Sequence, residues 1–384
     1  MTNEKLIHLY ACSDISTGGG FQTYVSTLVN YGIPGVSKDV ITSLEGVDQS
    51  QFKLLHVQEE MALINITGEC PSIFTAHNHT PYCPSGTKYF PTSEQCCTRS
   101  MSVLGCTWGH LIDGCGSRRL QNIVHKISSS YRLLGKLKKL RIPVIANSDY
   151  VRDRLIENGL PAEQTVTLRC GTSIPKSVTG PLTLEIHQNQ RILFAGRIVP
   201  DKGLEWLLKA LVQTDSPVHL DIAGEGWDRP RMEKLVNQLG LDKRVTWHGW
   251  CDREKMEALY QQCFAVIFPS VWPEPAGLIT LEAYARYRPV IASAVGGISE
   301  HLCDRETGIL VPVNNIQQLA TAITELSTNY QKSHRLGEQG HALFLKEFTM
   351  DIHVNKLQKI YEKTIDDFHT KKIFNQENLK HIYG

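Results

Sequence analysis

No apolar run in this chain approaches the roughly 20 residues needed to span a bilayer. The stretch Met1 to Tyr10 carries Glu4 and Lys5 where a secretion signal would have its apolar centre. A cytoplasmic location is therefore expected. Charge of one sign is lacking as well. Lys and Arg total 40 against 39 Asp and Glu, a formal net charge of +1, without the basic surplus that marks nucleic-acid binders. No nucleic-acid partner is expected. The chain has no internal repeat and no low-complexity stretch. Its glycine run Gly18-Gly19-Gly20 fits neither the G-x-G-x-x-G fingerprint nor a phosphate-binding P-loop, since no Lys-Ser/Thr follows it. A nicotinamide cofactor or ATP is unsupported. Eleven cysteines include no C-x-x-C pair.

What is present is a pattern. At 384 residues the chain is too long for one ordinary core, and about two domains are expected. Short apolar runs alternate with amphipathic segments, as in parallel sheets covered by helices. Strands are predicted at Leu6 to Ala11, Lys53 to Val57, Ser72 to His77 and Pro143 to Asn147, with Ser148 capping a helix Tyr150 to Glu157. Residues 171–190 lose periodicity and hold Pro175, Gly180 and Pro181, the expected linker. A second series runs from strand Arg191 to Ala195 through strand Gly308 to Val311. The expected architecture is α/β, two Rossmann-like domains facing each other across a cleft: 1–175 on the acceptor side, 190–355 on the donor side, and a helical end at 356–384 that could cross back to the first domain. In such sheets ligands bind beyond the carboxyl ends of the strands.

The densest chemistry lies in Pro269 to Glu282. Strand Phe264 to Phe268 leads into Pro273-Glu274-Pro275-Ala276-Gly277-Leu278-Ile279, and the next helix is expected to begin at Gly277, with Pro275 in its first turn. The amides of Ala276, Gly277, Leu278 and Ile279 would then lack helical partners and suit an anion such as a diphosphate. Glu274 and Glu282 are eight residues apart, roughly 12 Å along a helix. That exceeds the roughly 5–9.5 Å between the carboxyl groups of a hydrolytic pair. They suit two ends of one ligand better, though a capping carboxylate and a solvated helix residue would look the same. Arg197 and Lys202, after the first strand of the second series, supply a bidentate fork and a compact charge for a diphosphate. Gly19 and Gly20 open the first helix to close approach by a ligand.

These residues occur in an order that resembles the retaining glycosyltransferases of family 4, of GT-B architecture. The resemblance covers nearly the whole chain. It is carried by Glu274 and Glu282 as the E-x7-E signature, by Phe194-Ala195-Gly196-Arg197 with Lys202, by Ala223-Gly224-Glu225-Gly226, by Gly296-Gly297-Ile298-Ser299-Glu300 and by Thr307-Gly308-Ile309-Leu310-Val311-Pro312. It implies transfer of a sugar from a UDP- or GDP-sugar donor to a hydroxyl of a glycan, lipid-linked glycan or small molecule, with no metal required for catalysis. Arg197 and Lys202 would hold the diphosphate and Glu282 the ribose. Glu274 and the four amides would hold the sugar and phosphates, and Gly224, Glu225 and Trp250 would lie near the base. His77 would stand at the acceptor. A sugar-nucleotide epimerase and a non-catalytic partner of another transferase are the alternatives that the residues leave open. Two positions depart from the family pattern: Arg169-Cys170-Gly171-Thr172 replaces an Asn-Gly-Val-Asp run, and His56 and Gln58 flank Val57 where an early strand often ends in His.

Three further features stand out. His77 and His79 follow a predicted strand, where either could orient an acceptor hydroxyl. The segment 81–119 has little periodicity and contains Cys83, Cys96, Cys97, Cys106 and Cys115. Cys83, Cys97, Cys106 and Cys115 could form a structural zinc site, pair as disulfides, or remain separate thiols. Finally, Tyr131 to Arg141 reads as a basic amphipathic helix, either a solvated face or one that rests on an anionic membrane as a peripheral contact.

Overall fold

The computed structural model describes residues 6–11, 20–175, 180–370 and 374. The chain divides into two units, one formed by the chain up to Gly171 together with the segment from Met350, the other by Thr172–Thr349, with Glu94–Cys96 grouped with the second. The first unit carries β1 (Ile7–Tyr10), β2 (Val36–Ile41), β3 (Leu54–Val57) and β4 (Ser72–Ala76). After two-residue strands β5 (Tyr89–Phe90) and β6 (Gln95–Cys96) come β7 (Val144–Ala146) and β8 (Thr165–Thr167). Its sheet has the order β2-β1-β3-β4-β7-β8, with every pairing parallel. The second unit carries β9 (Arg191–Ala195), β10 (His219–Ala223), β11 (Val245–Gly249), β12 (Ala265–Phe268), β13 (Val290–Ser293) and β14 (Gly308–Val311). Its order is β11-β10-β9-β12-β13-β14, again parallel throughout.

The strand sequences explain this. β3, β4, β12 and β13 are buried at every residue, and the last two read Ala-Val-Ile-Phe and Val-Ile-Ala-Ser. Such near-continuous apolar runs belong to parallel sheets covered by helices on both faces. Ser148 caps the helix Asp149–Glu157, its Oγ accepting the Val151 amide at 3.3 Å.

Two expectations change. The stretch 171–190 contains a short helix, Leu184–Gln188, capped by Thr183, and His187 Nε2 lies 2.7 Å from the Leu326 carbonyl. Five residues are too few for periodicity to reveal. The basic segment 131–141 is the end of a longer helix, Leu120–Leu140, closed by Arg141 in the left-handed region at φ 51°. Its apolar stripe, including Ile123, Ile127, Leu133, Leu134 and Leu137, is buried. Leu133, Leu134 and Leu137 belong to the core of the first unit, while Leu120, Val124 and Tyr131 of the same helix are exposed. No helix among the described residues is long and apolar enough to cross a membrane.

The helix Met350–His369 closes the first unit. His56, wholly buried on β3, has Nδ1 2.7 Å from the Tyr361 hydroxyl and Nε2 2.7 Å from Thr75 Oγ1. Tyr24 donates its hydroxyl to His353 Nε2 at 2.9 Å, while His353 Nδ1 meets the Arg169 carbonyl at 2.9 Å. A histidine strand residue is affordable here because both ring nitrogens are satisfied.

Candidate functional site

In the second unit the strand order reverses at β9 and β12: β10 and β11 lie to one side, β13 and β14 to the other. Open α/β sheets bind ligands at such a reversal, outside the carboxyl ends. The loop leaving β9 carries Arg197 and Lys202, and the loop leaving β12 carries Glu274. Lys202 Nζ lies 2.5 Å from Glu274 Oε1, with both side chains largely buried. The same oxygen accepts from Ser270 Oγ and Trp272 Nε1, each at 2.8 Å. The Lys202 ammonium also sits 4.8 Å from the centre of the Trp272 ring.

Two glycines make this meeting possible. Gly203 has φ 73°, and a Cβ there would fall 1.8 Å from the Pro269 carbonyl oxygen. At Gly296, φ 56°, a Cβ would come 2.5 Å from the Glu274 carbonyl oxygen, and the Gly297 amide donates to that oxygen at 2.7 Å. Only residues without a side chain let three strand-end loops close on Glu274.

Arg197 differs from Lys202. Its side chain is exposed and makes no hydrogen bond or ion pair among the described residues. One cation of the loop is thus committed to a carboxylate and the other is available. The helix after Glu274 begins later than expected, at Leu278, with Gly277 as N-cap at φ 66°, and runs only to Tyr284. Pro275 therefore lies outside its first turn, in the loop. The amides of Ala276, Gly277, Leu278 and Ile279 precede the first backbone bond of the turn, from Thr280 to Gly277 at 3.0 Å. Glu282, partly buried, has its own partner, the Tyr260 hydroxyl at 2.9 Å from Oε2. Burial pushes its carboxyl above the usual value, against the opposing pull of Tyr260 and Arg286. Glu274 and Glu282 thus occupy separate hydrogen-bond networks.

Near β10 and β11, Glu225 is exposed and bonded to Arg229, whose guanidinium lies 5.5 Å from the Trp247 ring centre. Gly224 accepts no side chain, since a Cβ would fall on the Gly196 carbonyl. Trp250 is exposed, and so is Trp227, which sequence reasoning passed over. A large exposed indole after a strand is the signal that could have found it.

In the first unit, His77 stands just beyond β4. Its Nε2 donates to Gln58 Oε1 at 2.9 Å, and its Nδ1 accepts from Asn147 Nδ2 at 3.2 Å. The rings of Phe21 and Tyr24 lie 5.6 and 5.1 Å away. Burial lowers its pKa to about 3, so the imidazole is neutral. Gln58 is almost wholly buried and its Nε2 has no partner among the described residues, leaving an open donor beside His77. Glu60 is also buried, and burial raises its carboxyl to about 7 despite a hydrogen bond with Asn78. Gln58, Glu60 and Asn147 were not foreseen as site residues, although Gln58 and Glu60 follow one predicted strand and Asn147 ends another. His79 is different: it is wholly buried, with Nδ1 2.5 Å from the Tyr82 hydroxyl and its ring edge-on to Tyr150. That makes it a core residue and not a reachable acceptor ligand. Gly20 is the first residue of the helix Gly20–Tyr31, and Gly19 lies outside the described residues. Cys83, Cys97, Cys106 and Cys115 line one cavity as free thiols.

Residues 183–342 match the family described as glycosyl transferases group 1. That segment lies within the second unit and contains every donor-side residue above except Gly19 and Gly20. The chain is 30% identical over 175 residues to the alpha-D-kanosaminyltransferase of Streptomyces kanamyceticus, covering 45% of each protein. It is 32% identical over 209 residues to the O-antigen chain mannosyltransferase C of Escherichia coli, covering 50% of this chain and 56% of that protein. The chain thus spans about half the length of the curated relatives it matches. Among solved structures, Anabaena HepE in complex with UDP and glucose aligns at a TM-score of 0.72 and 18% identity, covering 93% of this chain and 99% of that one. Sucrose-phosphate synthase from Thermosynechococcus elongatus aligns at 0.68 and 21% identity, covering 93% and 98%. Two parallel-sheet α/β units with these likenesses are the GT-B fold.

Proposed function

We propose that this chain is a retaining glycosyltransferase of family 4 type, moving a hexose from a UDP- or GDP-sugar to a hydroxyl of a glycan, a lipid-linked glycan or a small molecule. The observation that carries the reading is the Lys202–Glu274 pair at the β9/β12 reversal, with the exposed Arg197 on the same loop. Its support is that this cation pair and carboxylate lie inside the segment matching glycosyl transferases group 1.

Arg197 and Lys202 bind the donor diphosphate, and Glu282 takes the ribose hydroxyls. Glu274, already fixed by Ser270 and Trp272, hydrogen-bonds the transferred sugar. The bond from the anomeric carbon to phosphate breaks with its electron pair on the departing diphosphate. The acceptor oxygen bonds the same face of that carbon and gives its proton to the leaving phosphate oxygen. Arg197, Lys202 and the amides of Ala276 to Ile279 stabilise the charge that develops. No divalent metal takes part in that step. Acceptor recognition falls to the first unit, where neutral His77 and the open Gln58 amide offer polar contacts for a hydroxyl.

The test is to incubate the protein with a set of UDP- and GDP-sugars and follow release of the nucleoside diphosphate. Donor-dependent release that requires an acceptor supports the reading. Turnover of the donor without any acceptor points to an epimerase, and binding by calorimetry without turnover points to a non-catalytic partner.

A further inference from the structure

Away from the donor residues, the first unit holds a cavity of about 30 Å³, room for a single small ion, lined by Cys83, Cys97, Cys106, Cys115 and His110. The walls are rich in electron-pair donors. His110 is 1% exposed, and its Nδ1 lies 3.1 Å from the Ser117 carbonyl, a contact that needs the proton on Nδ1. Nε2 then carries a lone pair, and it has no partner among the described residues. The sulfurs belong to residues that border the same cavity. The ammonium of Lys88, 2% exposed, is 4.0 Å from Cys97 Sγ but donates to the Arg99 carbonyl at 2.6 Å.

The surrounding segment has little else to hold it. Its strands β5 and β6 are two residues each. Its helix Val103–Leu111 buries only Gly109 and His110, and leaves Leu104 85% exposed with Val103 and Trp108 also outward. A segment with so small an apolar interior needs a crosslink to be ordered.

We propose that this cavity is a structural zinc site whose ligands are the thiolates of Cys83, Cys97, Cys106 and Cys115. Binding Zn²⁺ releases the four thiol protons to solvent and forms four Zn–S bonds, with no change of oxidation state. Lys88 offsets part of the resulting negative charge. Among the described residues no group of three or more such ligands is placed to hold a metal as it stands, so the four side chains would have to close inward to reach Zn–S distances of about 2.3 Å. Soft thiolates select zinc over magnesium or calcium, which take oxygen ligands.

The experiment uses the full chain, purified under reducing conditions without added metal. One zinc per chain by elemental analysis is expected, with a fall in the thermal midpoint on removal by a strong chelator. Cobalt exchanged into the site should give thiolate charge-transfer and tetrahedral ligand-field bands. Cys106→Ser and Cys115→Ser should lose the metal, whereas Cys303→Ser, an exposed cysteine outside the segment, should keep it. Should the first two variants not fold, the cobalt spectrum of the unaltered chain decides. A folded, metal-free chain that takes up neither zinc nor cobalt overturns the proposal. So does mass spectrometry showing two of these four cysteines joined as a disulfide in freshly isolated protein.

Discussion

Lys202 and Glu274, 72 positions apart in the chain, meet at 2.5 Å where the strand order of the second unit reverses. The carboxylate oxygen they share has two further donors, so the pair is a fixed feature of the site and not a chance surface contact. Removing either partner leaves a largely buried charge unmatched. Lys202→Ala and Glu274→Ala are each expected to lower stability by about 3 kcal/mol and turnover by about 10²-fold or more. Thermal melts and nucleoside diphosphate release read the two effects.

Arg197→Ala should behave differently. Its exposed side chain holds nothing together, so stability should stay within about 0.5 kcal/mol while donor binding weakens. Donor affinity equal to the parent's by calorimetry would remove Arg197 from the site.

The Gly203→Ala variant should mimic the loss of the ion pair without touching either charge. At φ 73°, with a Cβ 1.8 Å from the Pro269 carbonyl, the two loops must separate. A loss of at least about 2 kcal/mol is expected, together with reduced donor binding. A variant as stable as the parent would show that the loop contact is soft.

The first unit should respond to pH from both sides. His77 and His353 are held neutral by burial, with pKa lowered to about 3 and about 4. Their unfolded value is about 6.5, so their contribution is complete above that pH. It is lost as pH falls toward 4 and below, at up to about 1.4 kcal/mol per pH unit for each group. Glu60 has the opposite sign: raised to about 7, it contributes fully below about pH 4.5, and that contribution is lost as pH rises through 7. Calorimetric midpoints should fall on the acid side, less so in His77→Gln, and Glu60→Gln should flatten the alkaline side.

Tyr361→Phe deletes one hydroxyl and leaves buried His56 Nδ1 without its partner at 2.7 Å. A cost of about 1–3 kcal/mol is expected, with donor affinity unchanged because Arg197, Lys202, Glu274 and Glu282 belong to the other unit. Hydrogen exchange across β3 and the helix Met350–His369 would locate the loss.

The strands that place the site were legible because fully buried parallel strands leave uninterrupted apolar runs, as in Ala265–Phe268. The charges after β9 and β12 were legible for the same reason, since a strand end is where a functional loop begins. That Lys202 contacts Glu274 was not, because pairing between loops 72 residues apart depends on sheet order. The fate of His79 was also hidden. Two histidines two residues apart look alike in sequence, yet one meets Gln58 and Asn147 and the other is buried against Tyr82. The late start of the helix at Leu278 follows from the left-handed turn at Gly277, which a helix propensity does not register.

The return of the chain through Met350–His369 has a consequence for synthesis. The nascent first unit emerges from the ribosome with His56 and Tyr24 still lacking Tyr361 and His353. At about 5–20 residues per second, roughly 10–40 s pass between the emergence of Gly171 and that of His369. The second unit is uninterrupted from Thr172 to Thr349 apart from three residues made earlier, and it has everything it needs before then. The half of the protein translated second is therefore the half that can finish folding first.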